Sequence, residues 1–195
     1  KAGYPLDATY DCPGSVKIGN RDFTNYESKA MGRITMKRAI AVSCDTVWYK
    51  IAYDQWLKDG GLSPKNPNDF FFKMAHEFQF DKKTGIDLPT EAEGRIPDRQ
   101  WKQNWYNQNK DFYCNYRERA AKKDLTPFLI LLAKENCIDG GVLRAGDAVN
   151  FSIGQGDTVI TPLKLAQAYA AIGNGGTIWQ PLVAKAIVKT DGTVV

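Results

Sequence analysis

Ser43, Cys44 and Asp45 stand side by side in the run AVSCDTVWYK, residues 41–50, whose other members are mostly apolar or aromatic. A hydroxyl and a carboxyl group two residues apart suit two roles. They can serve as caps for a helix that begins there, because unsatisfied N–H groups and partial positive charge favour a hydroxyl or carboxylate at that end. They can also be aimed at a substrate, as proton-transfer and hydrogen-bonding groups. Asp45 or Thr46 suits the first role and Ser43 with Asp45 the second. Cys44 between them reads as a small apolar residue facing the core.

Gln155 and Gly156 in SIGQG are a second candidate group. The flanking glycines permit close backbone approach to a bound chain, and they equally suit a tight turn packed under the helix that follows. Trp48 and Tyr49 come directly after the triplet; Trp48 is a candidate wall for a cleft, with core packing as the plainer role. A metal site is not expected. The four cysteines, at 12, 44, 114 and 137, contain no C-x-x-C, and the single histidine, His76, has no ligand neighbour in sequence. No cofactor motif is present. Cys114 and Cys137 flank a polar segment and can pair in an oxidising compartment, or remain as free thiols.

The elements that must carry these groups are legible from their punctuation. Residues 4–26 are rich in Pro, Gly, Asp and Asn, with short strand-like pieces and no helical period. Thr35 offers an N-cap to a short helix, MKRAIAV. A second helix is expected from about Val47 to Leu57, closed by Asp59, Gly60 and Gly61, with Val47, Tyr49, Ile51, Ala52 and either Gln55 or Trp56 on a broad buried face. Asn68 opens a third, and the Pro- and Gly-punctuated loop TGIDLPTEAEGRIP follows it. Thr126–Pro127 and Thr161–Pro162 each start a helix. KTDGT at 189–193 predicts a hairpin turn after an alternating strand, VAKAIVK. The triplet therefore sits at a helix–helix junction.

With 43% hydrophobic and 25% charged residues over 195 positions, the chain can bury a core. Its net charge of +4 is dispersed. The densest cluster, RERAAKK at 117–123, mixes four bases with an acid, so no nucleic-acid partner is expected. The longest apolar run, FLILLA at 128–133, is far short of the ~20 residues needed to span a bilayer.

In this setting the triplet resembles the second motif of the penicillin-recognising serine acyltransferases. FQFDKKTGIDLPTEAEGRIPDRQWKQ and VNFSIGQGDTVITPLKLAQAYAAIGNGGTIWQP follow in the order found in class B penicillin-binding proteins. These blocks cover residues 8–103 and 148–190, and the elongation-type members are the most similar. Their second motif can carry Asp where most relatives have Asn. The resemblance implies an α/β (α+β) fold of the β-lactamase/transpeptidase type, mainly its helical part plus the start of an antiparallel sheet. The layout would be a second-motif region over 1–103, a helical insertion over 104–147 and a return to the sheet over 148–195.

The implied activity is D,D-transpeptidation of peptidoglycan stem peptides through a serine acyl-enzyme, with β-lactams as inhibitors. Ser43 would relay a proton to the departing D-alanine nitrogen. Asp45 would hold the active-site lysine and orient the substrate amide, though an ionised Asp only accepts hydrogen bonds where Asn also donates. Trp48, Gln155 and Gly156 would line the substrate. Implied partners are the stem peptide, β-lactams and membrane proteins of the elongation complex, on the outer side of the cytoplasmic membrane. A non-catalytic relative, such as a β-lactam sensor or a scaffold protein, is the alternative.

The family's nucleophile lies in S-x-x-K and its third motif is K-[ST]-G. None of the five serines here has Lys three residues later. TPLK at 161–164 has the spacing with Thr but reads as a helix start, and KTDG at 189–192 reads as a turn. The sequence thus suggests a piece lying between the first and third motifs. The 104–147 segment is expected to fold as a helical flap, with FLILLA packed inward and Cys114 near Cys137. A fluorescent β-lactam should therefore fail to label residues 1–195 alone and should label the full-length protein; labelling of any serine in the short chain would refute this reading.

Overall fold

The computed structural model describes residues 3–186 and 188–194. They form two compact units, residues 1–71 with 97–156, and residues 72–96 with 157–195.

In the first unit, strand β1 (Thr9–Cys12) pairs antiparallel with β4 (Gly32–Thr35), Thr9 opposite Thr35 and Cys12 opposite Gly32. Between them, β2 (Ser15–Ile18) and β3 (Arg21–Thr24) form a separate hairpin, turned at Gly19–Asn20 with Gly19 in the left-handed region. The alternation of strand side chains divides the work. Tyr10, Cys12 and Ile34 face one core, whereas Val16, Ile18 and Phe23 face another.

Both cores lie against the same helix. Thr35 caps α1 (Met36–Ala41) by accepting the Arg38 N–H, and α2 (Asp45–Lys58) starts after three intervening residues. Along α2, Val47 and Ile51 join Cys12, Met36, Ala39 and Cys44 in the first core. Tyr49 turns the other way, to Ile18 and Val149. Thr46, Ala52 and Gln55 are buried as well. A helix covered on two sides in this way shows little amphipathic contrast, which is why its period is weak in the sequence.

The remaining helices of this unit are α4 (Arg99–Cys114), α5 (Tyr116–Arg119), α6 (Pro127–Asp139) and α7 (Ala145–Phe151), while α3 (Phe70–Glu77) begins in it. Thr126 caps α6 as expected, accepting the Leu129 N–H, and Asp98 caps α4 by accepting the Trp101 N–H. The Cys114–Cys137 disulfide joins α4 to α6, and the Tyr106 hydroxyl donates to the Cys137 carbonyl. FLILLA packs inward only in part. Ala133 is buried and Leu129 and Ile130 half-buried, but Phe128, Leu131 and Leu132 are exposed. The ends of the 104–147 stretch are brought together by a 2.6 Å ion pair of Lys102 with Asp147, and the Trp56 indole N–H donates to the Leu143 carbonyl.

The second unit is built around α8 (Pro162–Gly173), whose N-cap Thr161 accepts the Lys164 N–H, so TPLK is a helix start as expected. Glu91 accepts from Thr84 N, Thr84 Oγ1 and Gly85 N and thereby closes the loop 84–91; these bonds, the Thr84 hydroxyl first, hold its carboxyl below the usual range. Asp87 accepts from the Val183 and Ala184 amides. The 189–193 turn is present, with Lys189 N donating to Thr193 O. The strand expected before it is reduced to an isolated Val188–Val194 bridge, and Ile187 lies outside the described residues.

Gly14 is among the positions where this fold leaves no room for a side chain. A Cβ on Gly14 would lie 2.2 Å from the Ser28 carbonyl oxygen. Gly14→Ala should lower the stability of the intact protein by roughly 1–3 kcal/mol, the cost of overpacking. Gly173→Ala, where a Cβ meets nothing within 4 Å, should be neutral or stabilising in the same thermal unfolding experiment; equal losses at both sites would show that Gly14 is not a packing constraint.

Candidate active site

Helix α1 ends through backbone bonds that close its last turn: Cys44 N donates to Ala39 O at 2.9 Å, and Ser43 N donates to Ile40 O at 3.2 Å. This pattern requires a left-handed residue one place beyond the C-cap, a position usually taken by glycine. Three other helices comply. Gly60 closes α2, Gly154 closes α7 and Gly175 closes α8, all with positive φ and the same pair of bonds or its longer member. At α1 the residue is Ser43, with φ of 52°. Gln79, at the end of α3, is the other non-glycine example. Side chains in this region cost on the order of 1–2 kcal/mol. A serine there carries a side chain where glycine would relax the turn.

Ser43 is exposed, Asp45 is half-buried, and Cys44 and Thr46 between and after them are buried. Exposure alternates residue by residue, so the junction presents Ser43 and Asp45 and withdraws their neighbours. Neither Ser43 Oγ nor the Asp45 carboxylate is hydrogen-bonded to a described residue. Desolvation raises the Asp45 carboxyl above the ordinary carboxylate range. The sign follows: the folded state binds this proton more tightly, so stability present at low pH is lost as the pH rises through the raised value. The nearby Tyr49 phenol is pushed up in turn, by burial first and by the Asp45 charge second.

The capping role expected for Asp45 or Thr46 falls elsewhere. Cys44 occupies the N-cap position of α2, without a side-chain cap bond. Cys44 faces the core as expected, and it is bonded there to Cys12, with Cα atoms 6.2 Å apart. The cap is supplied from a distance by Asn25, whose Oδ1 accepts the Thr46 N–H at 2.9 Å. Asn25 and Cys12 were invisible as site residues because they lie in the irregular N-terminal segment. The even cysteine count was the available signal, since a pair at 114–137 leaves 12 and 44 as partners.

Trp48 is half-buried and packs against the first core. Gln155 and Gly156 are exposed in the turn that closes α7, where Gln155 N donates to Asn150 O and Gly156 has φ of 79°. Val149 of α7 meets Tyr49 of α2, so the helix that leads into the SIGQG turn is docked on the helix that starts at Asp45. Among the described residues no group of His, Cys, Asp or Glu could hold a metal ion.

A two-unit α/β chain with a strained serine and a carboxylate at a helix junction agrees with the sequence's own resemblance. Residues 2–194 match the penicillin binding protein transpeptidase domain family, and the chain belongs to that family. Among curated relatives it is similar to the peptidoglycan D,D-transpeptidase MrdA of Acinetobacter baumannii, 29% identical over 164 residues that make up 84% of this chain and 18% of the relative. MrdA of Escherichia coli K12 is 24% identical over 88% of this chain and 20% of its own. The chain thus spans about a fifth of the length of these relatives. Among solved structures, penicillin-binding protein PBP2 of Helicobacter pylori in complex with MreC aligns with a TM-score of 0.67 at 23% identity, over 93% of this chain and 26% of that one. Pseudomonas aeruginosa PBP2 in complex with WCK 5153 aligns with a TM-score of 0.60 at 23% identity, over 98% and 34%. These likenesses establish the transpeptidase fold.

If Ser43 is retained for its hydroxyl at the expense of the turn, Ser43→Gly should hold or raise stability by up to ~1 kcal/mol, and Ser43→Val should lower it by a similar amount or more. Denaturant unfolding of the intact protein reads both. A marked loss of stability in Ser43→Gly would show that the hydroxyl anchors the turn.

Proposed function

We propose that this chain forms part of a peptidoglycan D,D-transpeptidase that crosslinks stem peptides through a serine acyl-enzyme and is acylated by β-lactams. The observation that carries the proposal is Ser43: a hydroxyl held in a left-handed backbone position, without a partner among the described residues, beside a carboxyl in the family's second motif. In this reading a nucleophilic serine and its lysine, which this sequence does not contain, attack the stem-peptide carbonyl. The departing D-alanine nitrogen needs a proton. Ser43 donates its own and regains one from the lysine ammonium, so the hydroxyl is a relay and not a nucleophile. Asp45 orients that ammonium and accepts a hydrogen bond from a substrate N–H. Trp48, Gln155 and Gly156 are proposed to border the bound peptide.

The domain layout proposed is a second-motif region over 1–103, a helical insertion over 104–147 and a return to the sheet over 148–195. The Cys12–Cys44 and Cys114–Cys137 bonds support an oxidising compartment and so the outer side of the cytoplasmic membrane. No described helix is long and apolar enough to cross a membrane. Partners of the elongation type are proposed because the Helicobacter pylori relative was solved with MreC.

The test is β-lactam acylation kinetics in the full-length protein. Ser43→Ala should keep the fold and slow acylation by ~10²–10⁴-fold, the range for loss of a placed proton-transfer group. Asp45→Asn should be mild and Asp45→Ala severe. A Ser43→Ala effect of tenfold or less at unchanged melting temperature would leave the serine as a helix terminator, and binding without acylation in the wild type would favour the non-catalytic relative.

A further inference from the structure

Resting on the proposed acylation role of Ser43 and Asp45, we infer that Asn25 and the Cys12–Cys44 disulfide are positioning residues for that pair. In the stretch Ser43–Cys44–Asp45–Thr46, every second residue is tied to the turn after β1. Cys44 is bonded covalently to Cys12, the last residue of β1. Thr46 donates its hydroxyl to the Pro13 carbonyl at 2.9 Å and its backbone N–H to Asn25 Oδ1 at 2.9 Å. The residues that alternate with these ties, Ser43 and Asp45, are those left exposed or half-exposed.

Asn25 connects the ties to one another. Its Nδ2 donates to the Pro13 carbonyl at 2.9 Å and to the Lys29 carbonyl at 2.7 Å, and approaches Cys12 Sγ at 3.5 Å. Both ends of the amide are therefore used, in a site where Asn25 is 6% exposed, Cys44 1%, and Cys12 and Thr46 0%. No water can substitute for a bond lost there, so each tie fixes a direction as well as a distance. The covalent and hydrogen-bonded ties grip the two residues that flank Asp45. One of them also follows Ser43 directly. A helix could be started more simply, by an Asp or Ser at position 44 capping its own N–H groups. The sequence instead spends a buried disulfide and an asparagine 21 residues upstream to hold this turn against a sheet.

Held so, Ser43 Oγ cannot relax toward the right-handed backbone that serine prefers. A displacement of about 1 Å at a proton-relay group is enough to cost on the order of 10²-fold in rate. The ties thus act on the acylation step and leave initial binding of the ligand nearly unchanged.

The experiment is stopped-flow acylation of the full-length protein by a small β-lactam, with the dissociation constant of the first complex and the acylation rate constant determined separately and corrected for folded fraction by circular dichroism. The variants are Cys12→Ala with Cys44→Ala, Asn25→Ala, Thr46→Val, and Cys114→Ala with Cys137→Ala as a second disulfide deletion. The first three should lower the rate constant by roughly 10–100-fold with the dissociation constant within about threefold. The Cys114/Cys137 variant should lose thermal stability without losing acylation. Rate constants within threefold of wild type in all three tie variants would overturn the inference. Should the Cys12/Cys44 variant not fold, Thr46→Val, which keeps shape and backbone N–H while deleting the hydroxyl's bond to Pro13 and its contacts with the Cys12 and Cys44 sulfurs, carries the test. Ser43→Ala in the same series separates the two claims: if it slows acylation and the tie variants do not, only the positioning role fails; if it has no effect, the function proposed for the site fails first.

Discussion

The start of α2 is a helix N-terminus set inside a core, and the first unit depends on how that end is satisfied. The opening N–H groups of a helix have no intrahelical acceptors, and burial removes water as an alternative. Here the residue at the cap position has its sulfur committed to Cys12 and makes no cap bond. Asn25 Oδ1 takes the Thr46 N–H instead. Satisfying one buried donor in this way obliges the chain around Asn25 to run beside β1. That course brings the Ser28 carbonyl against Gly14 and holds Glu27 and Ser28 in left-handed conformations. The irregular N-terminal segment is therefore part of the first unit's buried framework and not a tether.

From that fixed end, α2 serves as the axis of the unit. Val47 and Ile51 close one core with β1, β4 and α1, and Tyr49 closes the other with the β2–β3 hairpin and α7. Because α7 is seated through Val149 on Tyr49, the turn at Gly154–Gly156 is referenced to the same helix that begins at Asp45. The two sets of candidate residues, more than a hundred positions apart in the chain, share one rigid reference. In the second unit a comparable economy is seen at Glu91, which closes the 84–91 loop alone, and at Lys164, buried with its ammonium donating to the Lys83 carbonyl and to Gln167. Burial lowers the Lys164 pKa, and the charges of Glu91 and Asp81 act against that shift.

Strain is distributed unevenly among the helix ends. Where a glycine closes α2, α7 and α8 the turn is relaxed, and where Ser43 closes α1 it is not. The site thus couples a locally unfavourable backbone to an unusually well-bonded surrounding. That pairing is the physical arrangement by which a reactive or substrate-facing side chain can be kept in a direction it would not choose.

The sequence by itself determined those helix starts whose signals are local. Thr35, Thr126 and Thr161 cap helices through bonds that reach only three residues along the chain. The break at Ser43–Asp45 and the family resemblance were legible for the same reason, as ordered motifs of short range. Three matters were decided only by tertiary structure. The partner of Cys44 lies 32 residues away, and the cap of α2 comes from Asn25, 21 residues away; neither separation leaves any periodic trace. Among the described residues of 183–189 the expected strand is reduced to the Val188–Val194 bridge, because a strand needs a neighbour for its backbone groups and alternation alone does not supply one. Side-chain type and spacing named Ser43 and Asp45, whereas the direction in which they point was fixed by buried bonds between segments that only folding brings together.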